Sequence, residues 1–306
     1  MAYTVTFWGT RGSIPTPGAH TARYGGNTPC VAVEGSAGGG GGGGAAGPGA
    51  RRGREGQLVI LDAGTGIRAL GRELVEGQNG AVRAEILLSH AHWDHIQGLP
   101  HFKPFFAPGN AVRIWGSRQG TTSLEAILRQ QMDPAVFPVP LDALSAKLTV
   151  QQVEPGEFTV GPFRVRSMQL RHPGTTLGYR LTPVAGGPSM AYVTDNELGP
   201  GGHYNTGPSW RKDLVGFLKG VELLIHDAMY TPEELEEHRG WGHSTFEEAV
   251  ALAGDAGVQR LVLFHHEPEH GDEAIDALLA AARRQARSKG LPAEVLAAQE
   301  GMTLTL

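Results

Sequence analysis

Hydrophobic positions in this chain fall into short runs separated by glycine, proline and polar turns, and the runs alternate between two periods. Residues 4–8, 30–33, 58–61 and 85–88 are β-branched or aliphatic stretches of strand length. Ile67, Leu70, Leu74 and Val75 recur instead at helical spacing. A second series of strands is predicted at 148–153, 163–170, 178–181 and 190–193, with Pro and Gly turns between them. Short buried strands at 223–225 and 261–264 are followed by helical segments at 232–238 and 272–288. Strands dominate both halves, with helices between and after them. That pattern predicts an α/β fold in which two packed sheets carry helices outside, as a single domain over 1–306.

Two stretches interrupt the pattern. Residues 35–56 contain a run of seven glycines, 38–44, followed by Arg51, Arg52 and Arg54, a composition that cannot build a core. They are expected to form a flexible hairpin insertion, whose length costs only about 0.6 kcal/mol per doubling. A sharper reading gives its arginines a nucleic-acid contact. Residues 98–144 hold Phe102, Phe105, Phe106, Met132 and Phe137 among several prolines, with a helix at 122–131. They read as an insertion near the functional site, mostly core, with some apolar residues walling a pocket.

Composition narrows the partners. Of the 306 residues 40% are hydrophobic and 19% charged, and no apolar run reaches the length of a membrane span. The first eight residues read as a strand with no basic leader or cleavage site, so a cytoplasmic location is expected. The net charge of −5 supplies no bulk attraction to nucleic acid, so a nucleotide must be caught locally. Cys30 is the only cysteine, which excludes an internal disulfide and a cysteine metal cluster, and it reads as a small buried hydrophobe. The sequence leaves the oligomeric state open, a homodimer included.

The chemistry is concentrated in Ser89-His90-Ala91-His92-Trp93-Asp94-His95, directly after an apolar strand. Neutral imidazole and carboxylate are the ligands taken by a borderline-soft divalent ion. His90 and His92 lie two apart and point the same way in extended backbone, while Asp94 and His95 follow where the chain turns. One ion can take the first pair and a second ion the next. The pattern His-x-His-x-Asp-His resembles the signature of the metallo-β-lactamase superfamily of dinuclear metallohydrolases, which implies an αββα sandwich of two mixed sheets with the metals at one edge.

A pair of ions needs about seven protein ligands, so more must come from further along. His172, Asp195 and His265 each stand at the end of a hydrophobic run. The resemblance implies that one ion takes His90, His92 and His172, the second takes Asp94, His95 and His265, and Asp195 bridges them. His266 competes with His265; His265 comes first after the strand. Zinc is the expected metal, with manganese and iron also suited. Asp62, before the Gly64-Thr65-Gly66 turn, resembles the acidic residue that orients ligands in this superfamily, with a turn or helix-capping aspartate as the alternative.

The substrate is addressed by Gly240-Trp241-Gly242-His243-Ser244-Thr245-Phe246-Glu247-Glu248. Ser244 or Thr245 with a glutamate three residues on reads as a capping box, placing His243 just outside a helix N-terminus. That end is suited to an anion, and an imidazole beside it can protonate a departing alkoxide. The segment resembles the ribonuclease Z and cyclic-phosphodiesterase branch, as do Gly9-Thr10-Arg11-Gly12-Ser13, Gly26-Asn27-Thr28-Pro29-Cys30 and Leu224-Ile225-His226-Asp227-Ala228. The resemblance implies His243, Asp94 and Asp195 as catalytic residues, phosphate contacts from Arg11, Asn27, Ser244 and Thr245, and His226 and Asp227 as partners of the ligands. Ribonuclease Z commonly carries a transfer-RNA arm between the third histidine motif and the bridging aspartate, whereas only 22 residues separate His172 from Asp195 here. The expected activity is therefore hydrolysis of a small, cyclic nucleotide phosphodiester by a metal-bridging hydroxide. RNA 3′-end processing is the alternative, with a lactonase or thioesterase of the same fold behind it.

Overall fold

The structure, a computed structural model, describes residues 1–35, 58–77, 80–200, 202–291 and 294–306. Its strands form two seven-stranded mixed sheets. The first runs, edge to edge, β14 (Thr303–Thr305), β1 (Tyr3–Gly9), β2 (Cys30–Gly35), β3 (Leu58–Leu61), β4 (Arg83–Leu87), β5 (Ala111–Gly116) and β6 (Lys147–Gln152). The second runs β13 (Glu294–Ala297), β12 (Arg260–Phe264), β11 (Leu223–Asp227), β10 (Met190–Val193), β9 (Leu177–Pro183), β8 (Phe163–Gln169) and β7 (Gly156–Val160). Pairing is parallel from β3 to β6 and from β10 to β13, and antiparallel elsewhere. No helix among the described residues is long and apolar enough to cross a membrane.

The hydrophobic pattern explains the layers. In β1 the alternation buries Tyr3, Val5 and Phe7 against the second sheet. They meet Val165, Tyr179, Leu181, Tyr192, Ile225 and Phe264 in one core between the sheets. All four residues of β3 are buried, because its other face is covered as well. There α1 (Ile67–Glu76) packs Ile67, Leu70 and Leu74, and α3 (Leu124–Gln131) packs Leu124 and Leu128. Val75, although at helical spacing, faces solvent. The second sheet is covered by α4 (Trp210–Leu218), α6 (Phe246–Ala256) and α7 (Asp272–Ser288). Short helices α2 (Trp93–Ile96) and α5 (Pro232–His238) lie on the connections. The result is the predicted αββα sandwich.

The expectation that 98–144 inserts between elements is corrected. The segment contains β5, which is hydrogen-bonded to β4 on one side and β6 on the other. Phe102, Phe105 and Met132 belong to the core outside the first sheet, while Phe106 is partly exposed. The strand was hidden because Arg113 breaks its apolar run. In the folded chain that guanidinium pairs with Glu85 at 3.6 Å and lies over the Trp115 ring. Strands β7, β13 and β14 and helix α4 also go beyond the predicted elements. The 35–56 insertion, apart from Gly35 at the end of β2, lies outside the described residues.

Phe163 is fully buried between the sheets with its ring edge-on to Tyr3 at 5.2 Å. Phe163→Ala removes this packing and is expected to cost about 3–5 kcal/mol. Denaturant melting would read that as a lower midpoint; an unchanged midpoint would contradict the placement of Phe163 in the core.

Candidate metal centre

Strand β4 ends at Leu87, and the chain continues through Ser89, His90, Ala91 and His92 into α2, which carries Asp94 and His95 in one turn. His172 follows β8 after a two-residue gap, Asp195 follows β10, and His265 follows β12. These strand ends converge. Ligand atoms of His90, His92 and His172 lie within 4.8 Å of one another, as do those of Asp94, His95, Asp195 and His265.

Asp195 stands between the two groups and gives one oxygen to each. Its Oδ2 is 3.7 Å from His90 Nε2 and 3.6 Å from His172 Nε2. Its Oδ1 is 3.3 Å from His95 Nε2 and 3.2 Å from His265 Nε2. Asp94 Oδ2 lies 3.1 Å from both of the latter nitrogens. His92 completes the first group through Nδ1, 3.0 Å from His172 Nε2. All seven predicted ligands are therefore assembled, with His265 rather than His266. The His266 ring turns away and its Nε2 bonds the Ala298 carbonyl at 2.9 Å.

The donor set fits divalent cations. Nitrogen and oxygen ligands at about 2.0–2.1 Å from one tetrahedral ion stand roughly 3.3 Å apart, the spacing seen here. Buried His90 Nε2 has no hydrogen-bond partner among the described residues, although unpaired buried polar atoms are costly. Burial pushes His90 below the ordinary imidazole range and His172 down to about 4, which favours the neutral form with a lone pair available. Burial opposes ionisation of Asp94 and Asp195, but His95 and His265 hold both carboxylates below their usual range.

The rings are oriented from behind. Asp62 Oδ2 accepts from His95 Nδ1 at 2.8 Å, from the Ser89 hydroxyl at 2.8 Å and from the Tyr192 hydroxyl at 2.7 Å, while Oδ1 accepts from the Ser89 amide at 2.7 Å. Ser89 Oγ in turn lies 3.0 Å from His90 Nδ1. Gly242 O accepts from His172 Nδ1 at 3.0 Å. Each of these contacts takes the Nδ1 proton and leaves Nε2 as the ligand atom. Asp62 is thus an orienting residue rather than a helix cap, since the N-cap of α1 is Gly66.

Three of these residues occupy strained backbone. Asp62, Asp195 and His265 have φ of 58°, 49° and 60°, a region that side chains with a Cβ avoid. Each sits where a strand stops and its side chain must turn into the cluster.

Beside the cluster, His243 Nδ1 donates to Asp227 Oδ2 at 2.6 Å, and its ring stacks on His265 at 5.1 Å between centroids. Burial alone would push His243 down, but the Asp227 carboxylate, with Asp195 and Asp94 behind it, holds it at about 9. Asp227 Oδ1 also accepts the Ser244 and Met229 amides. Asp227 therefore holds His243 and its loop, and its nearest approach to a ligand is 4.0 Å, from Oδ2 to His265 Nδ1. His226 instead contacts the Asp227 carbonyl at 2.6 Å and Asn196 at 3.3 Å, and neither is a cluster member.

The four expected phosphate contacts are spent elsewhere. Arg11 is fully buried, and its guanidinium donates to the carbonyls of Gly25, Glu267 and His270, stapling the N-terminal loop to the chain just after His265. Asn27 Nδ2 donates to Glu300 at 3.0 Å. Ser244 Oγ donates to the Asn196 carbonyl at 2.5 Å. Thr245 is the N-cap of α6, in a reciprocal box with Glu248. That box satisfies the Thr245 and Glu248 amides, two of the groups that an anion was expected to use. A glycine-rich loop with an arginine reads the same whether the guanidinium faces ligand or backbone.

Other contributors had weaker signals. The Ser13 amide donates to Asp94 Oδ2 at 2.9 Å. Glu197, almost fully buried, accepts the amides of Gly240 and Gly242 at 2.9 and 3.1 Å and the Tyr204 hydroxyl, so it fixes the loop that carries both Gly242 and His243. Its position two residues after Asp195 is the only hint in the sequence.

Known proteins fall into place against this geometry. The family model described as the beta-lactamase superfamily domain matches residues 57–266. The chain belongs to that superfamily. A ribonuclease Z from Halobacterium salinarum is 24% identical over 345 aligned positions, covering 99% of this chain and 97% of its own. Yeast PDE1 superposes with a TM-score of 0.67 at 15% identity, covering 100% of this chain and 99% of its own. A diphosphatase from the PhnP family gives 0.63 at 19% identity, covering 100% and 98%. The sequence similarity runs to ribonuclease Z, the two solved structures share the fold, and membership of the superfamily makes the chain a metallohydrolase. The superfamily's fold and the buried His/Asp cluster together imply divalent metal.

Asp62→Asn keeps the size of the side chain but cannot accept from His95, Ser89 and Tyr192 in the same way. Metal retention in competition with a chelator is expected to fall about 10–100-fold. Retention equal to that of the parent would remove Asp62 from its orienting role.

Proposed function

We propose that the protein is a dinuclear metal-dependent phosphodiesterase that hydrolyses a small, cyclic nucleotide. The observation that carries the reading is the Asp227–His243 pair set against the bridged cluster, an acid positioned beside two adjoining cation sites. His90, His92 and His172 would hold one divalent ion, Asp94, His95 and His265 the second, and Asp195 both. Zinc, manganese and iron all suit these ligands. Bound there, the metals supply a nucleophile at neutral pH and Lewis acidity toward a phosphoryl oxygen.

The chain's own residues do the rest. Asp227 holds the His243 ring through Nδ1, which leaves Nε2 to face the substrate. As the phosphorus–oxygen ester bond breaks, His243 Nε2 gives its proton to the departing alkoxide, and water supplies the oxygen of the new bond to phosphorus. Asp62 and Gly242 keep the cluster histidines in register, so the approach of the nucleophile is set before substrate arrives. The hairpin of β9 and β10 takes up nearly all of the chain between His172 and Asp195, which leaves no room for a protruding arm there. That supports a small substrate over a transfer RNA.

A second reading, RNA 3′-end processing, is favoured by the ribonuclease Z relatives that span nearly the whole chain. Purified protein of known metal content, assayed with 2′,3′- and 3′,5′-cyclic nucleotides, linear phosphodiesters, precursor transfer RNA, a lactone and a thioester, separates the readings. Cyclic nucleotide turnover above the others is expected; cleavage of precursor transfer RNA with idle cyclic nucleotides would replace this reading by the second. His243→Ala is expected to lower kcat by roughly 10²–10⁴-fold with metal content unchanged. Unchanged turnover would take the acid role from His243.

A further inference from the structure

The motif that supplies the first ligands also opens a groove. His92 joins the cluster, and its chain neighbours Ala91 and Trp93 line a cavity of about 480 Å³. Trp93 is 80% exposed and Val136 73% exposed, an unusual cost for large apolar side chains. Phe137 forms another part of the wall and is braced by the edge-on His101 ring at 5.6 Å. Gln97 and Gln130 add exposed amides. No Lys, Arg, Asp or Glu lines this groove, whereas three other cavities of the described chain each carry arginine in their walls.

We propose that this groove is the base subsite, in which the nucleobase of the substrate stacks on Trp93 while its phosphoryl group sits at the cluster. The chemistry selects the occupant. A wall without Lys, Arg, Asp or Glu disfavours a second phosphate or a charged peptide, whose desolvation it would offset poorly. An exposed indole face suits a flat heteroaromatic ring, and amide groups match the ring's donor and acceptor edge. Size agrees, since the cavity falls in the range of small-molecule sites. The chain links the two, because Ala91 and Trp93 of the groove flank His92 of the cluster. The proposal rests on the phosphodiester reading for the position of the phosphoryl group, and it names Trp93 as a specificity residue rather than a catalytic one.

The test is binding, which is independent of turnover. Equilibrium dialysis of adenosine 5′-monophosphate and of ribose 5-phosphate against the metal-loaded protein isolates the contribution of the base. The nucleotide is expected to bind about ten-fold or more tightly, as base–aromatic stacking provides. That preference should collapse to below about three-fold in Trp93→Ala, survive largely in Trp93→Phe, and persist in Trp241→Ala. Since Trp93 is exposed, Trp93→Ala leaves the core intact, and circular dichroism verifies it. Equal binding of the two ligands, or a preference that survives Trp93→Ala or is lost in Trp241→Ala, overturns the assignment. If the preference follows Trp93 but no phosphodiester is turned over, the subsite stands and the phosphodiesterase reading fails.

Discussion

The two oxygens of Asp195 impose the constraint on which the rest of the structure depends. One faces His90 and His172, the other faces His95 and His265, and Asp94 closes the second group from its far side. Except for His92, these ligands are nearly excluded from water. Carboxylates and imidazoles packed this closely cost folding free energy unless something of opposite charge shares the space. Divalent cations resolve that conflict. They also account for His90 Nε2, which is buried with no hydrogen-bond partner among the described residues.

The sandwich exists, in functional terms, to deliver those side chains. Parallel strands β3 to β6 and β10 to β13 bring their carboxyl ends to one rim, where ligand sites of open α/β sheets are found. Two buried sheets with a shared core make that rim rigid. The strained φ angles of Asp62, Asp195 and His265 show the cost, of order 1–3 kcal/mol each, which the surrounding packing offsets. Orientation then passes outward through Asp62, Ser89 and Tyr192 on one side and through Gly242, held by Glu197, on the other. The carbonyl that aligns His172 lies next to His243, so one loop sets both a ligand and the acid.

Much of this arrangement was legible before any fold was known, for a physical reason. A hydrophobic run that ends at a histidine or aspartate marks a strand tip, and the tips of one sheet edge are neighbours. His172, Asp195 and His265 were readable in that way, as was the His90–His95 cluster. Where the reading failed, the cause was direction. Arg11, Asn27, Ser244 and Thr245 have the right chemistry for phosphate, but their donors and caps are aimed at the protein's own backbone and at Glu300 and Glu248. His226 shows the same limit, as a ring one residue from Asp227 that faces Asn196 instead. β5 was lost because Arg113 interrupts its run, and β14 because three residues carry too little pattern. Glu197 reaches the His243 loop through Gly240 and Gly242, 43 and 45 residues away, so no local spacing announces that role.

The central claim is that one carboxylate divides two cation sites. Anomalous X-ray scattering from crystals loaded with zinc or manganese measures it directly, because each ion appears as its own peak. The account predicts two peaks flanking Asp195, one against His90, His92 and His172 and the other against Asp94, His95 and His265. A single peak, or metal found away from Asp195, would contradict it.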